Sequence, residues 1–204
     1  MPQSATPPQT RRRGEQLEHA VYAATLAELT ELGYGRLTME GIAARARTGK
    51  AALYRRWPTK HALVRDALRH ALPPMPRARP DRSARQNLMS MFTAHCDVLA
   101  GKTAFPGLDI IGQLLHEPGL RVIFTEEVIA PRLSAIEAVL REAQSSGELQ
   151  SGAVTPLTAR IGPALIVQHF LLTGAPPSRR KLALIIDELL PEKGSTGVDF
   201  TTGS

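Results

Sequence analysis

An all-α chain in two parts is what the 204-residue sequence predicts, and three features predict it. Apolar residues recur every three or four positions through most of the chain. No segment shows the strict alternation of a half-buried strand, and glycines, prolines and hydroxyl residues fall where helices would begin and end. A hydrophobic content of 43% is enough for a packed core at this length. There is no internal repeat.

The elements follow in order. Residues 1–14 form a flexible basic arm that ends in Arg11, Arg12 and Arg13. Leu17, Val21, Thr25, Leu29 and Leu32 then mark a helix from about Glu15 until Gly33 stops it. Thr38 caps a short second helix, with Glu40 in its positive first turn and Ile42, Ala43 and Ala46 facing inward. After the break at "RTG", a third helix runs from Lys50 to Trp57 with Leu53 and Trp57 on one face. It stops there because Pro58 disfavours helical geometry in the residue before it. Thr59 caps a fourth helix that reaches Ala71.

"PPMPRARP" excludes continued helix and sets a border, giving one domain over 15–72 and a second over 73–192. Leu88, Phe92, His95 and Leu99 mark a helix in the second, and "FPGLDIIGQLLHE" a short one from Pro106. Leu120 to Gln144 reads as one long helix broken or kinked at Pro131. Thr155 and Pro156 open the next, which ends at Gly174, and Ser178 opens the last. Residues 193–204 read as a disordered tail.

Charge separates the two parts. Residues 1–72 hold 12 Lys+Arg and 6 Asp+Glu, so 12 − 6 = +6, whereas residues 73–204 hold 13 of each. A basic segment on a neutral body points to a polyanion for the first part and another task for the second. One cysteine, Cys96, excludes an intrachain disulfide framework and a cysteine-rich zinc site, which fits a reducing cytoplasm; a redox role for it is weaker than a buried structural one. No apolar run reaches the roughly 20 residues of a membrane span, and the N-terminus lacks a signal-peptide core. The six histidines lack metal-ligand spacing, so neither metal nor cofactor is expected. "TGKA" is not a phosphate loop, because Ala44 stands where its first glycine belongs. His95 and Cys96 are adjacent on one helix and diverge by about 100°, which rules out a nucleophile and base pair. No enzyme is expected.

Two short helices joined through Gly49 form a helix-turn-helix, whose second helix enters the DNA major groove. Lys50 stands at its groove end. Ala51 and Ala52 are small enough to bring the backbone close and to touch a thymine methyl. Tyr54 offers a hydroxyl to phosphate, and Arg55, Arg56 and Lys60 offer charge. Each residue also has a plain reading: Tyr54 as a half-buried core aromatic, the cations as solvated surface, and Arg11 to Arg13 as a loose tail instead of a minor-groove arm.

Taken in order, "LGYGRLTMEGIAARARTGKAALYRRWPTKHALV" resembles the DNA-binding domain of the TetR family of transcriptional repressors, closely over Leu32 to Val64. Arg47 and Thr48 replace the Gly and Val usual in its turn, and Glu28 takes an often apolar place. Thr38, Arg47, Thr48 and Gly49 complete the expected DNA-binding set. The resemblance implies a regulator that binds a double-stranded operator as a homodimer and is released by a small-molecule effector held in the second domain.

Residue patterns in that domain agree in outline. The helix from Thr155 is apolar nearly all round, with Leu157, Ile161, Leu165, Ile166, Phe170 and Leu172 pointing several ways, so two flanks need cover. Gly162 and Ala164 would let a partner helix approach, and Leu182, Ile185, Ile186 and Leu189 would complete a four-helix interface. Polar groups among apolar walls suggest an effector cavity bounded by Phe92, His95, Leu99, Phe105, Leu108, Ile111, Phe124, Leu133, Ile166 and His169. His95 reads equally as a core histidine. Two other classes fit the same sequence less fully: an effector-independent nucleoid-type DNA binder, and a helical enzyme with a basic accessory domain.

Overall fold

The computed structural model describes residues 9–150, 152, 154–155 and 157–190, with side chains from Gly14 onward. The first eight residues of the expected arm, Pro156 and the tail 193–204 lie outside the described residues. Helices and turns make up the described chain, with no strand among these residues. In order they are α1 (Gln9–Leu32), α2 (Met39–Arg45), α3 (Lys50–Arg56), α4 (Lys60–Ala71) and α5 (Ala84–Leu99), then a 3-10 turn (Gly107–Ile110). α6 (Ile111–Leu114), α7 (Pro118–Phe124), a π turn (Thr125–Ile129), α8 (Ala130–Ser145), α9 (Thr158–Thr173) and α10 (Arg179–Leu189) follow.

Packing divides the chain into two compact units, one of Met1–Pro73 with Thr103–Ile129 and the other of Pro74–Lys102 with Ala130–Ser204. The chain thus crosses between units three times, where a border at 72/73 crosses once. The reason is apolar. Phe105, Ile110, Leu120, Ile123 and Val128 are buried, and the segment that carries them packs on α1 and α4.

In the first unit, α1 lies across α2 and α4. Val21, Tyr22, Thr25 and Leu29 are its buried face, whereas Leu32 is exposed because the helix ends there. Thr25 is tolerated inside because its hydroxyl donates to the Val21 carbonyl at 2.7 Å. The helix starts at Gln9, six residues before Glu15, so Arg11 to Arg13 belong to its first turns. Gly33 ends it at φ 81°, a left-handed conformation open to glycine, and its N–H bonds the Leu29 carbonyl at 3.0 Å.

In the second unit, α5 packs on α8, α9 and α10. A full capping box opens α5: Ser83 Oγ accepts from Gln86 N at 3.3 Å and Gln86 Oε1 accepts from Ser83 N at 3.2 Å. Asn87 is buried but satisfied, accepting from Arg79 N at 3.0 Å and donating to the carbonyls of Arg79 and Arg82 at 3.1 and 3.3 Å.

Two expected elements differ in detail. The helix over Leu120 to Gln144 is interrupted by the π turn just before Pro131, not at it. Pro131 has no N–H and its ring excludes the carbonyl four residues back, so one extra residue per turn relieves the clash. α9 begins at Thr158 instead of Thr155, and the capping runs the other way: Thr158 Oγ1 accepts the Thr155 N–H at 2.9 Å.

Candidate nucleic-acid interface

The helix pair α2 and α3 is built from local signals. Thr38 Oγ1 accepts from Gly41 N at 3.0 Å to start α2, and Met39, Ile42 and Ala43 bury its inner face. The turn that follows closes with Arg47 N bonded to the Ala44 carbonyl at 3.1 Å and Thr48 N to the Ala43 carbonyl at 2.9 Å. That paired pattern requires a left-handed residue between helix and exit. Arg47 fills the position at φ 52°, the one non-glycine residue with positive φ among the described residues. Gly49 caps α3 in an extended conformation, and a Cβ there would meet nothing within 4 Å. Its bare Cα faces open space.

α3 turns Leu53 and Trp57 inward, at 1% and 5% exposure, and Tyr54 outward at 44%. Lys50, Ala51, Arg55 and Arg56 are also exposed, with Thr48 and Ala52 half-buried. The Trp57 indole N–H donates to Asp66 Oδ2 at 3.1 Å, and its ring meets Tyr22 edge-on at 5.6 Å, so the end of α3 is anchored to both α4 and α1. Thr59 Oγ1 then accepts from Ala62 N at 3.1 Å to open α4. The core-aromatic reading therefore belongs to Trp57 and Tyr22, not to Tyr54.

Charge on this face is arranged in pairs. Lys50 Nζ lies 3.1 Å from Glu40 Oε1 across the turn. The Glu40 carboxyl is held below its usual value, first by its own backbone N–H at the start of α2 and then by Lys50. Arg45 binds Glu31 through both guanidinium nitrogens and Glu28 at 3.2 Å, which explains an acidic residue at position 28 of a packed helix. Two of the expected DNA-binding cations are turned elsewhere. Arg56 reaches Glu18 at 3.2 Å on α1, and Lys60 donates to the Tyr34 carbonyl at 2.8 Å with its ammonium 4.6 Å from the Tyr34 ring centre. Of the expected residues, Thr38, Arg47, Gly49, Lys50, Ala51, Tyr54 and Arg55 thus remain exposed and are not turned onto α1 or Tyr34, with Thr48 and Ala52 half-buried beside them.

Two family profiles match this chain: "Bacterial regulatory proteins, tetR family" over residues 21–67 and "Tetracyclin repressor-like, C-terminal domain" over residues 79–189. The second alone spans more than half of the chain. The chain belongs to the TetR family. It is a DNA-binding transcriptional regulator with an all-α helix-turn-helix segment and a helical C-terminal region. An HTH-type transcriptional regulator of Mycobacterium tuberculosis is 26% identical over 173 residues, 85% of each chain. The DNA-binding transcriptional repressor TetR of Mycobacteroides abscessus is 28% identical over 182 residues, covering 87% of this chain and 94% of that one. In fold, this TetR-family chain is similar to the regulator FadR from Bacillus subtilis, solved with stearoyl-CoA. That match has a TM-score of 0.64 at 16% identity, over 85% of this chain and 97% of that one.

The residues expected around an effector are divided between the units. Phe105, Leu108, Ile111 and Phe124 belong to the first, with the Phe105 and Phe124 rings 6.3 Å apart. Phe92, His95, Leu99, Leu133, Ile166 and His169 belong to the second, where Phe92, Leu99 and Ile166 are buried and the other three half-buried. Arg132, which sequence reading missed, is also buried there, at 8% exposure. It lies on α8 one residue before Leu133, and nothing in the sequence marks it off from a surface arginine. Cys96 is buried, and that burial, with Asp97 second, pushes its thiol up to about 11, so it stays protonated and unreactive.

The dimer residues also differ from expectation. Gly162 faces its own chain: a Cβ there would stand 2.7 Å from Phe92 Cε2 and closer still to Cζ. Leu182, Ile186 and Leu189 are buried in their own unit because α10 packs on α5 and α9. Left outside are Leu157, Ile161, Leu165, Leu171 and Leu172 of α9 and its approach, with Leu184 of α10. No helix among the described residues is long and apolar enough to cross a membrane.

Proposed function

We propose that this regulator is a ligand-released repressor that binds a palindromic operator in the cytoplasm as a homodimer. The observation that carries the DNA contact is the division of α3, with Leu53 and Trp57 buried and Lys50, Ala51 and Tyr54 exposed on the other side. A helix held by one face and bare on the other suits the major groove. Lys50 and Ala51 read base edges, Tyr54, Arg55 and Arg47 meet phosphates, and Gly49 permits close backbone approach. Arg56 and Lys60 act through the scaffold, fixing α3 to α1 and the turn at Tyr34.

The exposed stripe on α9 supports the dimer. Leu157, Ile161, Leu165 and Leu172 recur at helical spacing and are 38% to 78% exposed. A stripe of that kind is covered by a second copy through a two-fold interface. Two recognition helices must then stand about 34 to 36 Å apart to dock in successive major grooves. A ligand that binds better to a dimer with another spacing releases DNA by that difference in affinity and no more.

Selection of bound genomic fragments followed by footprinting tests the reading. The expected result is one protected palindrome per dimer. Lys50→Ala should cost about 1 to 3 kcal/mol of operator binding and relax the sequence preference, whereas Tyr54→Phe should weaken all sequences alike. Uniform protection without a palindrome would make the protein a nucleoid-type binder instead.

A further inference from the structure

α5 has a face that the core of its unit does not use. Leu88, Met91 and Val98 are buried on one side, while Arg85, Gln86, Met89, Ser90 and Thr93 recur at one-turn spacing on the opposite side, exposed or half-buried. These five border a hollow of about 540 Å3, completed by Arg82 before the helix and Arg179 at the start of α10. All seven residues belong to the second unit. Bonds across the rim fix its shape: Arg82 Nη1 donates to Ser90 Oγ at 3.4 Å, and Arg85 forms an ion pair with Asp187 of α10, the helix that carries Arg179.

The lining is rich in donors, and no carboxylate lines the hollow among the described residues. Ser90 and Thr93 donate their hydroxyl protons to the carbonyls of Gln86 and Met89, at 3.2 and 2.7 Å. The Gln86 amide oxygen accepts the Ser83 N–H in the cap of α5, which leaves its Nε2 to donate. Two acids near the rim are already paired, Asp187 with Arg85 and Asp81 with Arg79, the second through both carboxylate oxygens at 3.0 and 2.7 Å. Arg82 and Arg179 form no ion pair among the described residues.

Two guanidiniums without an acid of their own and a donating amide suit an anion that has three or more oxygens and more than a single charge. A phosphoryl group has both. A carboxylate has two oxygens in one plane and one charge. The hollow is also far larger than a bare ion needs and lies within the roughly 300 to 1,000 Å3 of small-molecule sites, with Met89 as an apolar wall. We propose that this face of α5 and the start of α10 bind a small organic phosphate ester, its phosphoryl group held by Arg82 and Arg179 and its organic body laid on Met89. Binding at this place needs neither the operator nor the effector proposed above.

Calorimetry on the full-length protein, in chloride buffer at fixed ionic strength, compares phenyl phosphate with inorganic phosphate and with benzoate. Phenyl phosphate is expected to bind about tenfold or more tightly than either, because benzoate lacks the third oxygen and second charge and the bare ion lacks the ring. Arg82→Gln and Arg179→Gln should each weaken phenyl phosphate by about fivefold or more. Arg180→Gln removes the same charge from the next exposed residue, which does not line the hollow, and should leave the affinity unchanged. All three arginines are exposed, so the variants keep the fold, and circular dichroism checks this. Benzoate binding as tightly as phenyl phosphate, equal losses in Arg179→Gln and Arg180→Gln, or no binding of phenyl phosphate at millimolar concentration would overturn the site. Inorganic phosphate binding as tightly as phenyl phosphate would overturn the organic ester as its ligand.

Discussion

The side-chain amide of Gln113 closes on the backbone of Tyr34, with Oε1 accepting the Tyr34 N–H at 3.0 Å while Nε2 donates to the Leu29 carbonyl at 3.1 Å. These groups flank the end of α1, where helix geometry leaves carbonyls without partners. One side chain of α6 thus serves as an outside cap for the turn that leads into α2. Gln113→Ala leaves a part-buried N–H unbonded and should cost about 1 to 2 kcal/mol, or roughly 2 to 6 °C in Tm. It should also loosen the seat of Lys60 on Tyr34. An unchanged Tm would mean that water replaces the amide.

Arg47 is strained where a glycine would not be. Its left-handed conformation costs about 1 kcal/mol or more for a residue with a Cβ, and Gly offsets part of that through greater freedom in the unfolded chain. Arg47→Gly should therefore stabilise the protein by up to about 1 kcal/mol in urea denaturation. Operator affinity should fall at the same time, with a shallower salt dependence, if the guanidinium meets phosphate. Gain in both properties would remove Arg47 from the interface.

The ion pair between Lys50 and Glu40 competes with DNA. Both groups are at least half exposed, so the pair adds little to stability, but Glu40 places a negative charge on the groove side of α2. Glu40→Gln frees Lys50 and removes repulsion toward phosphate. Binding to operator and to random duplex should both tighten, by several-fold at low salt. Fluorescence anisotropy at two salt concentrations measures this, and an unchanged affinity would place Glu40 off the DNA face.

What was legible in the sequence acts over short range. Thr38 and Thr59 cap within three residues of themselves, Pro58 stops α3 at its neighbour, and Leu53 and Trp57 share a face by spacing alone. The whole helix-turn-helix is assembled from such signals. Gln113 is different, because its partners lie 79 and 84 residues away, and no local pattern marks an amide on a short helix as a cap. The same holds for Arg56 with Glu18 and for Gly162 against Phe92. Positive charge or small size is visible in the string, but the partner that decides its use is not. Arg132 was invisible for this reason, since a buried arginine and an exposed one have the same local sequence.

Burial of the His95 ring, with the Arg132 charge second, pushes its pKa from an ordinary 6.5 down to about 4. The unfolded chain binds the proton more readily, so stability rises with pH across this window. The contribution is fully present above pH 6.5 and is lost progressively as pH falls toward 4. Between pH 7 and 4.5 the loss attributable to His95 should be roughly 2 to 3 kcal/mol. Denaturation curves of His95→Gln, which does not titrate, should show a pH dependence smaller by that amount. Equal pH dependence in the two proteins would mean that the ring is solvated and already charges freely when folded.

Gly162 and Leu165 lie three residues apart on α9 and should respond to substitution in different ways. Gly162 is buried against Phe92 and Leu189 of its own chain, so a methyl group there overpacks the core. Gly162→Ala gains up to about 1 kcal/mol of helix propensity but should still lose about 1 to 3 kcal/mol net if Phe92 cannot move aside. That loss belongs to the protomer, and the fall in Tm should not depend on protein concentration. Leu165 is 38% exposed on the apolar stripe proposed to meet the second copy. Leu165→Glu should leave the protomer core intact but place charges in a desolvated two-fold contact, where each copy adds one. Its Tm should lose the rise with protein concentration that the parent dimer shows, and light scattering should show monomer at micromolar concentrations. Operator affinity should fall with the dimer population, because one recognition helix alone reads only half a site. A Leu165→Glu protein that remains a dimer would move the interface off this stripe, whatever Gly162→Ala does.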